Sequence, residues 1–480
     1  MSQKTSDTCA AAQRERSPLV TPARLKTIVW LVFVAVAAVL VNKSLFYALV
    51  PYGGQTEAIW AQYYDCADKD IDTLIAGSSY GMECIDPEIL DAELGWSTYS
   101  LATPFQTRAA TMRAVQDAYE DHHIKRLILG AGIDKMFNDD NGLEYDLSFA
   151  HGEALGGSLT RTLAAYTDVA LRRPYFGNSS SLAVAVPWLI WHVDLNRQAI
   201  EDNLALRANH TPQEACAEQQ LYVTSQGHIP HYGHVNLDGM GEVLTVAPDS
   251  EYEFIEGARE QYLELFDYCH AHDIEVIMIT TPWPDCSLMR YEREGGYAVA
   301  MAEFQKLAEE GGSTLLDFAL VRPEAFETTA EDFHDAWHLG GEGARRFSAF
   351  LGSTLKKVEA GEDVSDLFYD HTVEGWNEYL DSVKGIAVLK FGYEERDDAI
   401  DLFIKTYKAP STQVEYEICA AEQGQDFRVV RPYAQETTYS YPIEGSGEVT
   451  IAVRARQVGS DVDVERSCTH VIAYGPNPPQ

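Results

Sequence analysis

At 480 residues, with 46% hydrophobic and 11% aromatic content, the chain is too long for one average domain and too apolar for general disorder. Its formal charge of −38 repels phosphate backbones and argues against nucleic-acid binding.

The chain opens on a basic tail, residues 1–26, carrying Lys4, Arg14, Arg16, Arg24 and Lys26. An uncharged run follows at 27–41, "TIVWLVFVAVAAVLV". Continued to Val50 it is long enough to cross a bilayer, with Lys43 able to snorkel toward the interface. The basic residues precede the run and no A-x-A-like cleavage site follows it. These features predict a single-pass signal anchor at 27–50, a cytoplasmic tail and an extracytoplasmic remainder.

Short apolar runs then alternate with amphipathic stretches. Strands are predicted at 72–79 ("DTLIAGSS"), 97–104, 126–134, 275–282 and 313–318, with helical spacing at 105–120, 256–273 and 293–310. That alternation predicts a parallel sheet covered on both faces, within a domain spanning 51–360. The interval 137–250 is too long for a crossover and reads as an insertion placed to shape a cleft. Within it, "GHIPHYGHV" spaces His228, His231 and His234 by three, but Pro230 and Gly233 break any helix. A polar loop near the cleft mouth is expected there, and no metal. Residues 361–384 read as a linker. From 385 to 480 five short strands, the first at "VEYEICAAEQ", predict an all-β sandwich. Cys419 and Cys468 are its candidate disulfide pair, with Cys66 and Cys84 a second candidate; no C-x-x-C suggests zinc.

Chemistry concentrates in two stretches. The first strand runs into Gly77-Ser78-Ser79, a turn that either caps a helix or presents a nucleophile. In "DFHDAWHLGGEGARRFS" (332–348), Asp335 and His338 stand three apart before a glycine-marked helix start. At that spacing a carboxylate reaches the imidazole Nδ1–H and leaves Nε2 free to take a serine proton. His334 is the rival base, and Asp332 reads as a solvated loop charge.

With Gly77-Ser78-Ser79 after the first strand and Asp335-Ala-Trp-His338 before the last helix, the chain resembles the SGNH (GDSL-like) hydrolase superfamily over about residues 68–358. The stretches "MITTPWPD" and "TLLDF" also resemble the later strands of membrane-anchored bacterial members, which include the D-alanine transfer protein and alginate O-acetyltransferase groups. The resemblance implies an α/β fold, a three-layer flavodoxin-like parallel sheet, with Ser79 as nucleophile, His338 as base and Asp335 as its orienter. It implies oxyanion donors at Ser79, Ala102 and Gly132. The family has a glycine where Ala102 stands and an asparagine where Gly132 or Asp134 stands. Loss of an asparagine donor costs about 3 kcal/mol of transition-state stabilisation. The expectation is a serine esterase or O-acyltransferase without cofactor or metal, acting on acyl esters of a cell-envelope glycan or polymer, with a membrane acyl-donor protein as a candidate partner. The alternative is a non-catalytic, glycan-binding scaffold. Tyr433, Tyr439 and Tyr441 resemble immunoglobulin-like triple-tyrosine domains, where such rings are expected to be core.

Overall fold

The computed structural model describes residues 22–132, 143–172, 184–233, 254–255, 257–291 and 294–475. Asp134, His234 and most of the basic tail lie outside the described residues. Helix α1 (Pro22–Leu49) is long and apolar enough to cross a membrane, and its apolar side chains are exposed from Leu25 to Val41.

Five strands follow: β1 (Thr73–Gly77), β2 (Thr98–Ser100), β3 (Arg126–Gly130), β4 (Glu275–Thr280) and β5 (Thr314–Asp317). They pair in parallel in the order β2-β1-β3-β4-β5, with Ile75 beside Ser100 and Ile128. All five match the strands expected from the sequence. β1 is fully buried, as a strand covered on both faces requires.

The helices before, between and after them are α2 (Gln55–Asp65), α3 (Ser79–Cys84), α4 (Pro87–Leu94), α5 (Arg108–His122), α6 (Leu143–Ala154), α7 (Leu159–Arg172), α8 (Arg197–Asn209), α9 (Pro212–Glu218), α10 (Ala258–Ala271), α11 (Asp285–Leu288), α12 (Gly296–Glu310), α13 (Gly341–Glu359) and α14 (Val373–Ser382). α5, α10 and α12 contact β1, β4 and β5, while α13 packs against α3 and α4. One continuous core joins the sheet to both sets of helices. Helices α6 to α9 build the insertion between β3 and β4, with a satellite core around Leu147, Ala165 and Val169.

Three expectations need correction. The linker at 361–384 carries α14, whose Trp376 and Tyr379 are buried in the main core; their i, i+3 spacing puts both rings on one helical face. Asp332 is not solvated: it is 4% exposed, ion-paired with Arg346, and accepts the Thr329 N–H at 2.7 Å. The cysteines do not pair, since all seven among the described residues are free. Cys419 lies opposite Ala452 and Cys468 opposite Val453, neighbouring residues of one intervening strand. Successive strand residues face opposite sides, so the two thiols point away from each other across two strand spacings.

The C-terminal region has seven strands where five were expected. β6 (Ile386–Glu395), β7 (Ala399–Lys408) and β10 (Thr438–Pro442) form one antiparallel sheet. β8 (Val414–Glu422), β9 (Arg428–Ala434), β11 (Gly447–Gln457) and β12 (Arg466–Tyr474) form the other. Leu402 and Ile404 of one sheet share a core with Ile418 and Val453 of the other, which makes the region sandwich-like. Tyr441 is buried in that core, and Tyr439 packs on it and donates to the Val430 carbonyl.

Candidate active site

The strand order reverses direction at β1, with β2 on one side and β3 on the other. Ligands of open α/β sheets bind beyond the carboxyl ends of the strands at such a point. Ser79 follows β1 there. Gly77 makes the turn possible: its φ is +122°, a region closed to other residues, and a Cβ would sit 2.8 Å from the Gly130 carbonyl oxygen. Its N–H donates to Gln106 Oε1 at 2.7 Å, and its carbonyl accepts the Thr103 N–H at 3.2 Å. Both bonds come from the segment after β2, while Gly130 at the end of β3 stands beside Gly77 on the other side.

The second component arrives on the loop before α13. An antiparallel bridge between Phe333 and Leu339 pinches residues 332–340 into a tight loop, and Gly340 N–H donates to the Asp332 carbonyl at 2.8 Å. Asp335 Oδ1 accepts the N–H groups of Trp337 and His338 at 2.6 and 2.8 Å. Its Oδ2 lies 2.9 Å from His338 Nδ1. The other imidazole nitrogen, Nε2, stands 2.8 Å from Ser79 Oγ. Tyr80 stacks at 5.3 Å on the His338 ring and packs in turn on Trp283. Serine, imidazole and carboxylate therefore form one hydrogen-bonded line, with the imidazole held at both nitrogens and on its face.

Ser78 occupies the cap position of α3, but its hydroxyl makes no cap bond and is buried without a partner among the described residues. The other expected donors are near at hand. Ala102 packs on Gly81, where a Cβ would come within 3.0 Å of it. Leu101 and Thr103 donate to the Ile75 and Gly77 carbonyls, while the intervening Ala102 N–H has no acceptor among the described residues. Gly132 is buried just past β3.

Sequence reasoning missed Glu83. It lies four residues after Ser79, hence on the same face of α3, and that i, i+4 relation was the available signal. Its Oε2 is 2.9 Å from His334 Nε2 and 3.8 Å from His338 Nδ1, and its Oε1 is 3.5 Å from His231 Nε2. Burial pushes the Glu83 carboxyl up, but the bonds from His231 and His334 and the nearby His338 outweigh burial and hold it at about 2. Burial likewise raises Asp335, and the His338 bond and the Trp337 N–H more than reverse it, leaving that carboxyl below its usual value. His334 thus serves Glu83, 2.9 Å away, rather than the serine. His231 stacks on His334 at 4.4 Å, and its carbonyl accepts the Gly341 N–H at 2.7 Å, tying the insertion to the start of α13. His228 sits apart, with its Nε2 3.1 Å from the Glu83 carbonyl.

Ser79, Glu83 and His338 open onto a cavity of about 390 Å³. Pro104 and Phe105 close one side, Glu144, Tyr145 and Ser148 of α6 another, and Gln55, Thr56 and Trp191 complete it. Glu144, Tyr145, Ser148 and Trp191 of the insertion thus line the cleft. Neither Ala102 nor Gly132 lines the cavity wall.

Together the fold and site define an α/β protein bearing a half-buried serine–imidazole–carboxylate line at the carboxyl end of a parallel sheet. Compared with protein-family models and with curated proteins, the chain gives no match.

Proposed function

We propose that the protein is a serine-dependent acyl-transfer enzyme of SGNH type, an esterase or O-acyltransferase acting on acyl esters of a cell-envelope glycan or polymer. One observation carries the reading: the unbroken line from Ser79 Oγ through His338 to Asp335, with contacts of 2.8 and 2.9 Å. Serine is a weak nucleophile unless a neighbouring base takes its proton.

Ser79 Oγ attacks the ester carbonyl as His338 Nε2 accepts the hydroxyl proton. Asp335 keeps the other ring proton on Nδ1 and stabilises the imidazolium, with the Glu83 carboxylate adding a second negative charge on the same side. The tetrahedral oxyanion takes a hydrogen bond from the Ser79 amide at the start of α3. Collapse expels the alcohol, which receives the proton from His338, and leaves an acyl-Ser79. Water or a sugar hydroxyl, deprotonated by His338, then attacks that ester and frees the serine. The aromatic walls, Phe105, Tyr145 and Trp191, suit a sugar face or an acyl chain. The scaffold alternative gains no observation of its own from this site.

Purified protein is expected to turn over p-nitrophenyl acetate, with Ser79→Ala reducing kcat at least about a thousandfold. Equal turnover by both proteins overturns the reading.

A further inference from the structure

The cavity is mounted on the end of the apolar helix. The exposed run Leu25–Val41 of α1 spans about 25 Å, close to the hydrocarbon thickness of a bilayer. From Asn42 onward the helix is gripped by the insertion. Trp188 Nε1 donates to Asn42 Oδ1 at 2.7 Å, and Asn42 Nδ2 donates to the Ala185 carbonyl at 3.0 Å. The carbonyls that end the helix are satisfied in the same way. Val193 N–H donates to Leu49, Asn203 Nδ2 to Ala48 and Val50, and Arg207 to Val50.

Part of that grip is also cavity wall. Trp191, two residues before Val193, lines the cavity, and its ring touches His151, which touches Phe46 of α1. Gln55 and Thr56 line it only six residues after the helix ends. From Asn42 to Leu49 the helix rises about 10 Å, so this wall stands within a headgroup layer's depth of the apolar boundary. Beside it Leu189 and Leu195 are 51% and 68% exposed, flanking Trp188 and Trp191. Exposed leucines among tryptophans at the exit of an apolar helix fit a lipid headgroup boundary.

We infer that Leu189 and Leu195 seat in the bilayer leaflet around α1, and that the cavity takes a substrate held in that leaflet by its own apolar tail. The inference rests on the acyl-transfer reading and on α1 spanning a membrane. Tethering both partners to one surface replaces a three-dimensional search by a local one and raises the effective concentration of the ester.

The test uses the full chain in phospholipid vesicles. Nitrobenzoxadiazole is placed on Leu189→Cys and Leu195→Cys, and on Val429→Cys as a distant control, each in a Cys9→Ser background. Headgroup-level nitroxide lipid is expected to quench the first two probes and not the third. A helical spacer of about three turns, roughly 16 Å, is then inserted between Val41 and Asn42. It is expected to lower turnover of a lipid-tethered nitrophenyl ester at least about tenfold, while turnover of soluble p-nitrophenyl acetate stays within about twofold of the parent. Unquenched probes overturn the surface. Equal effects of the spacer on both esters overturn the tethered substrate. A parent chain inactive on both esters overturns the acyl-transfer reading and the substrate with it, while quenching still decides the surface.

Discussion

Asp335 does two tasks at once, because one oxygen caps the Trp337 and His338 amides while the other faces His338 Nδ1. Asp335→Asn can keep the first task through its carbonyl oxygen but turns an NH2 toward Nδ1, forcing the wrong tautomer. The expected result is a loss of about ten-thousandfold in kcat with near-normal stability, read from steady-state kinetics and urea denaturation. A stability loss without a kinetic one would show that the residue only holds the loop. Glu83 makes a separate prediction. Its folded value of about 2 lies below the ordinary 4.5, so its contribution is present above pH 4.5 and lost as pH falls toward 2. The shift bounds that contribution at roughly 3 kcal/mol. Glu83→Gln is therefore expected to be less stable at neutral pH and to show a flatter fall in urea midpoint between pH 4.5 and 2; parallel curves would contradict the assignment.

The turn after β1 and the loop before α13 are the elements that make the site, and both were legible in the sequence. Each is a local motif whose chemistry is written in consecutive residues: Gly77-Ser78-Ser79, and Asp335 three before His338. What was not legible depends on chain segments far apart. Glu83 meets His231 only because the insertion crosses α3, it meets His334 only because the loop before α13 folds onto α3, and Trp191 reaches the cavity only because it is tied to the end of α1. Asp332 looked like a loop charge because its partner, Arg346, lies fourteen residues on along α13. The β6–β7 hairpin went unread because its chain turns over three charged residues, Arg396-Asp397-Asp398, without a glycine. Gly77 carries the prediction at this scale. Gly77→Ala forces a Cβ against the Gly130 carbonyl at a positive φ, and is expected to cost about 2–4 kcal/mol by urea denaturation. A cost below about 0.5 kcal/mol would mean that the two strand ends can separate freely.

Across the whole molecule, an apolar helix, an α/β unit and a sandwich-like region are joined by packing rather than by a loose tether. Trp376 and Tyr379 of α14 and Val388 of β6 all belong to the core around the parallel sheet. The seven described cysteines are buried and free, and burial raises the Cys84 and Cys269 thiols. The melting temperature is therefore expected to be unchanged by dithiothreitol, and Cys419→Ala to leave it insensitive. A drop on reduction would reveal a bond that this fold does not make.

The central claim is that His338 activates Ser79, and a serine-directed fluorophosphonate probe tests it most directly. Mass spectrometry of the labelled protein is expected to find one adduct, on Ser79, abolished in Ser79→Ala and slowed at least about a hundredfold in His338→Ala. No adduct on Ser79, or labelling at the same rate without His338, would contradict it.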